Sequence, residues 1–63
     1  MKRANLRHAT LRRANLQNVH IERADLTGAT LAGADLTNAN FTNAEIGQAD
    51  FADAIREGTI GLP

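Results

Sequence analysis

The chain contains no cysteine, serine, tryptophan or tyrosine, and its single proline is the last of 63 residues. Each absence removes a possibility. Without cysteine there is no disulfide to staple a small domain and no thiolate to hold zinc. Without serine, one common hydroxyl nucleophile is missing. Aromatic residues amount to 3%, which leaves no surface platform on which nucleic-acid bases could stack. No glycine-rich phosphate loop follows a strand and opens a helix. No apolar run approaches the ~20 residues that span a bilayer, and no signal peptide is evident, so the chain reads as soluble, cytoplasmic and without a membrane partner. At this length one folded domain buries only about 60% of the surface its unfolded form exposes, so its stability is marginal unless something adds to it.

What the chain does have is a period. Leu6, Leu11, Leu16, Ile21, Leu26, Leu31, Leu36, Phe41, Ile46 and Phe51 fall at every fifth position without a slip, and two residues before each stands a small one, Ala4 through Ala49, with Val19 the only exception to alanine. Such a repeat says that each unit is the same piece of structure stacked on its neighbours. An α-helix fails this pattern, because a step of five advances about 140° round the axis and spreads the large residues over every side. A flat strand also fails, since an odd step sends successive large residues to opposite faces. A short extended piece plus a bend in every unit puts the small and the large residue on one interior.

The quintets Ala4-Asn5-Leu6, Ala14-Asn15-Leu16, Ala24-Asp25-Leu26, Ala34-Asp35-Leu36, Ala39-Asn40-Phe41 and Ala49-Asp50-Phe51 resemble the pentapeptide repeat family over about residues 2 to 53. The resemblance implies an all-β solenoid, a right-handed quadrilateral β-helix of about 2.5–3 coils with four five-residue faces in each. Residues twenty apart then lie above one another at ~4.8 Å. Interior columns follow: Leu6, Leu26 and Ile46; Leu11, Leu31 and Phe51; Leu16 and Leu36; Ile21 and Phe41. A slight bulge is expected at Val19. Most residues between the small and large positions are Asn, Asp or Thr, which hydrogen-bond nearby backbone at a bend and support one turn per repeat. Gly28, Gly33 and Gly47 follow the large residue and ease the corners.

Neutral overall charge hides an asymmetry. Residues 1–23 carry six cations against Glu22, a net of +5, whereas residues 24–63 set Arg56 against six acids, a net of −5. Such a distribution speaks to association rather than to fold. The end coils of a solenoid also present unpaired main-chain edges. Near the C-terminus the pattern breaks, because Arg56 and then Gly61 occupy slots for large apolar residues, and an interior guanidinium is costly unless paired. The expectation is therefore a β-helix over 2–53 that opens afterwards, with 54–63 as an irregular cap or dimerisation segment. Phe51, Ile55, Ile60 and Leu62 are the candidate interface residues of a homodimer formed through the C-terminal end. Head-to-tail stacking of the basic and acidic ends is the rival.

Catalytic and ligand constellations are thin. His8 and His20 fall on different faces with no shared carboxylate cluster, so neither a metal site, a cofactor nor an enzymatic activity is expected. The function expected is a non-catalytic structural or protein-interaction module that self-associates through a coil end. Nucleic-acid binding through the N-terminal arginines is an alternative, but Arg7, Arg12 and Arg23 point in different directions. A further alternative rests on the resemblance alone, since some similar proteins imitate duplex DNA and act on DNA gyrase.

Overall fold

The computed structural model describes residues 2–62, and none of them is helical. Each quintet closes a turn in which the N–H of the small residue donates to the carbonyl of the large residue three positions earlier. Ala9 to Leu6 at 3.0 Å and Ala44 to Phe41 at 2.8 Å are typical. The third residue of every such turn lies in the left-handed region, as in turns that favour glycine there. Gly28, Gly33 and Gly58 occupy it at φ of 69 to 72°, but so do Arg3, His8, Arg13, Arg23 and Gln48 at 57 to 61°. Gly47 sits one position earlier and needs no such freedom, so only two of the three glycines expected to ease corners do so.

The bend is reinforced by the polar residue ahead of the large one. Asp25 Oδ1 accepts from the Thr27 N–H at 3.0 Å and from its hydroxyl at 2.6 Å, spanning Leu26. Asp35 does the same with Thr37 at 3.1 and 2.6 Å. Asn5, Asn15, Asn40 and Asp50 also accept from the N–H two residues on. A short side-chain acceptor in this position mimics a backbone turn, which explains its recurrence.

Turns at five-residue spacing wind the chain so that it meets itself in parallel every twenty residues. Bridges join Asn5 to Asp25, Thr10 to Thr30, Asn15 to Asp35 and His20 to Asn40, then Asp25 to Glu45 and Thr30 to Asp50. On one side, Leu6 N–H donates to Asp25 C=O at 2.8 Å, His8 N–H to Thr27 C=O at 2.9 Å, and Asp25 N–H back to Ala4 C=O at 2.9 Å. The same three bonds recur side after side, four sides to a coil. The residue between the two inward positions points out, because side chains alternate along an extended segment.

The coil does not open after residue 53. Ile55 bridges Asp35 and Ile60 bridges Asn40, and Leu36 N–H and Phe41 N–H donate to their carbonyls at 2.8 and 2.7 Å. Main-chain pairing is indifferent to side-chain polarity, and a slot for a large residue needs an apolar occupant only if another coil covers it. Arg56 lies in the end coil and is exposed. Three coils are thus complete at Ile60. Beyond it Gly61, at φ 86°, lies so close to the coil below that a Cβ would meet the Phe41 carbonyl carbon and the Thr42 nitrogen at 2.7 Å. This turn brings Leu62 against the core.

The core sits in the middle coil. Ile21, Leu26, Leu31, Leu36 and Phe41, with Ala24, Ala29, Ala34 and Ala39, are wholly buried. Leu6, Leu11, Leu16, Ile46 and Phe51 pack against them from the end coils and remain half-buried, because each has a neighbour on one side only. Phe51 meets Phe41 edge-on, with ring centroids 6.3 Å apart. The column membership is that expected from the repeat. Val19 is accommodated without a bulge, and its carbonyl accepts from Asn40 N–H at 2.9 Å like its alanine counterparts.

Candidate interaction surfaces

The outer wall has four corners, each a stack of turn residues from successive coils. One corner forms a groove of about 370 Å³ lined by Lys2, Arg3, Glu22, Arg23, Thr42 and Asn43. Glu22 is its only anion. Its Oε2 lies 4.0 Å from Lys2 Nζ and accepts from Asn40 Nδ2 at 3.3 Å, while its Oε1 is shielded from water without a hydrogen bond. His20 Nδ1 stands 3.8 Å from that Oε1 and completes an ion pair when protonated. A second groove of about 220 Å³ runs over Arg12, Arg13, Ala32, Gly33, Ala52 and Asp53. On a further corner His8 leans over Gly28, where a Cβ would stand 2.6 Å from its ring. Arg7 lies 3.6 Å from Asp25. The arginines therefore ring the first coil, with Arg23 stacked above Arg3 rather than beside Arg7 or Arg12.

Of the three carboxyls that anchor turns, Asp25 and Asp35 also accept from a threonine hydroxyl. Asp25 titrates below its ordinary value of 3.8, first because the Thr27 hydroxyl and then the Thr27 N–H donate to it, with Arg7 adding a smaller charge effect. Asp35 is lowered in the same way, by Thr37 and then Gln17. Donors aimed at a carboxylate favour its ionised form. These groups serve the turn, and no group of three or more metal-ligating side chains occurs among the described residues. Among those residues no helix is long and apolar enough to cross a membrane.

The four residues expected at a C-terminal interface are divided by the fold. Phe51 and Leu62 lie at the open end of the interior, half-buried against the core. Ile55 and Ile60 occupy the outward positions of the third coil, above Asp35 and Asn40, and are 48% and 56% exposed. They are the exposed large hydrophobic residues among those described. The repeat pattern contains this signal, since both stand where every earlier quintet has a polar residue, mostly Asn, Asp or Thr.

The end coils carry the strongest unmet bonding capacity. On the outward rim of the first coil, the N–H groups of Asn5, Thr10 and Asn15 and the carbonyls of Asn5, Arg7, Thr10, Arg12, Asn15 and Gln17 have no main-chain partner among the described residues. On the rim of the third coil the same is true of the N–H groups of Ile46, Gln48, Phe51, Asp53, Arg56 and Gly58 and the carbonyls of Ala44, Ala49 and Ala54. Unpaired parallel edges of this kind are templates for further pairing.

No curated protein matches the chain. A family model described as pentapeptide repeats matches it in eight copies, over residues 1–32 and 20–55. These are the quintets whose turns and ladders build the three coils, and the chain belongs to the pentapeptide repeat family.

Proposed function

We propose that the chain is a non-catalytic structural or protein-interaction module that associates with a second copy through its C-terminal coil end. Family membership supports the module, because a tandem array of this kind supplies a regular wall and two rims rather than a reaction centre. A right-handed quadrilateral winding is part of this reading, and it agrees with the general hand of crossovers between parallel strands. The observation that carries self-association is the rim of the third coil, where six main-chain donors lack main-chain partners among the described residues, beside the half-exposed Ile55 and Ile60. A small domain gains more from covering such an edge than from any isolated surface contact. Light scattering on a size-exclusion column, over a hundredfold concentration range, tests it. A mass that rises above 6.8 kDa with concentration is expected, and a constant monomer mass would reject the reading.

The acidic later coils are the feature that a duplex-DNA mimic would use. Here they stand above a ring of Lys2, Arg3, Arg7, Arg12 and Arg13 on the same short stack. That juxtaposition favours contact between copies over imitation of a uniformly charged duplex.

A further inference from the structure

The geometry points to a head-to-tail contact, in which the acidic rim of the third coil takes the basic rim of the first coil of a second copy. This deepens the preceding reading and rests on it. The main-chain edges decide the direction. Each of the three sides between Ala44 and Gly58 offers two N–H donors and one carbonyl acceptor, whereas each side between Ala4 and Asn18 offers one donor and two acceptors. Stacked in the twenty-residue register, Ile46 N–H meets the Asn5 carbonyl of the second copy, Gln48 N–H meets its Arg7 carbonyl, and its Asn5 N–H returns to the Ala44 carbonyl. The two following sides repeat the set. Every group then has a partner, and the bonds are those already made between coils within one chain. Two C-terminal rims facing each other across a two-fold axis would instead bring twelve donors to six acceptors and leave half the donors unmet.

Charge agrees with the direction. The register places Arg13 of the second copy above Asp53, on the corner where Arg13 already overhangs Gly33. It places Asn15 of the second copy diagonal to Glu57, in the same relative positions that Gln17 and Asp35 hold two coils below, with the amide now on the upper coil as donor. Two features temper the contact. Arg56 stands in the interior column beneath the position that Leu16 of the second copy would take, and Gly61 and Leu62 occupy the path of its first residues. The tail must swing aside, which makes the stack reversible and open-ended rather than a closed pair.

Sedimentation velocity on the full chain, at about 50 and 500 mM salt, tests the contact, with circular dichroism to confirm that each variant is folded. Expected is a ladder of masses that shrinks at high salt, where charges at a rim are screened. Asp53→Arg alone and Arg13→Asp alone each weaken association about tenfold or more, because like charges then face across the junction. An equimolar mixture of the two variants regains it, since each junction again pairs opposite charges. Arg56→Leu strengthens it. A discrete dimer that ignores both salt and Arg13→Asp would overturn the head-to-tail contact while leaving self-association standing. A monomer throughout, in the parent chain and in Arg56→Leu alike, would overturn both.

Discussion

Leu31 and Leu11 share one interior column, and replacing each by alanine measures how much the middle coil contributes. Leu31 is wholly buried, one of five large side chains that fill the centre. Its main chain is pinned on both sides, since Leu31 N–H donates to Asp50 C=O at 2.7 Å and the neighbouring Thr30 carbonyl accepts from Leu11 N–H at 2.7 Å. Four ladders hold the walls apart, so a cavity there can collapse little. The cost of Leu31→Ala should lie in the upper part of the range for buried leucines, about 3–5 kcal/mol. A domain of this length has only about 3–9 kcal/mol in all, so the variant is at or near the unfolding threshold at 25 °C. Leu11 is half-buried in the end coil, has no coil beneath it, and loses correspondingly less, about 1–2 kcal/mol. Tryptophan and tyrosine being absent, the assay is urea unfolding followed by far-ultraviolet circular dichroism. Equal costs for the two substitutions, or a larger one for Leu11→Ala, would refute the claim that the interior is densest in the middle coil.

Stability should hold above the ordinary carboxylate range and fall as pH drops through the lowered values of Asp25 and Asp35, because the folded state prefers their ionised forms; Thr27→Ala, titrated by NMR, should move Asp25 back toward 3.8. Gly61→Ala forces a methyl group into the Phe41–Thr42 main chain, so the tail should lift and Leu62 lose its packing, at about 1–2 kcal/mol, seen as lost contacts between Leu62 and the core in NMR spectra. Gln48→Gly exchanges a left-handed penalty of about 1 kcal/mol for a similar entropic one and should be close to neutral in thermal unfolding. Gly33→Ala makes the reverse exchange and in addition crowds Arg13 Cγ at 3.3 Å, so it should be the less stable of the two variants relative to the parent in the same assay.

Much of the fold was legible because the repeat is a spatial statement. Once a quintet holds one bend, equal spacing forces every large residue to the inside, and with four quintets to a coil, as the family resemblance implies, the columns Leu6–Leu26–Ile46 and Leu11–Leu31–Phe51 follow. The turn acceptors Asp25 and Asp35 were legible for the same reason, as short polar groups at a fixed offset. Less visible was the left-handed corner, because Arg23 and Gln48 occupy it as well as Gly33 and residue type does not reveal it. The candidate interaction surface was only partly readable. Ile55 and Ile60 were named only as apolar residues beyond the break in the repeat, and their separation from Phe51 and Leu62 came from how the last coil ends.

The amino-acid order alone determined the period, the inside and outside of each quintet, and the opposition of a basic beginning to an acidic remainder, since these depend on spacing and charge along the chain. The tertiary structure decided where the coil stops. Main-chain hydrogen bonds to the coil below carry Ile55 and Ile60 into the ladder despite Arg56 between them, because that pairing depends on a partner twenty residues away. It also decided the polarity of the two rims, which arises only when the winding aims each N–H and C=O along the axis and leaves donors in excess at one end and acceptors at the other.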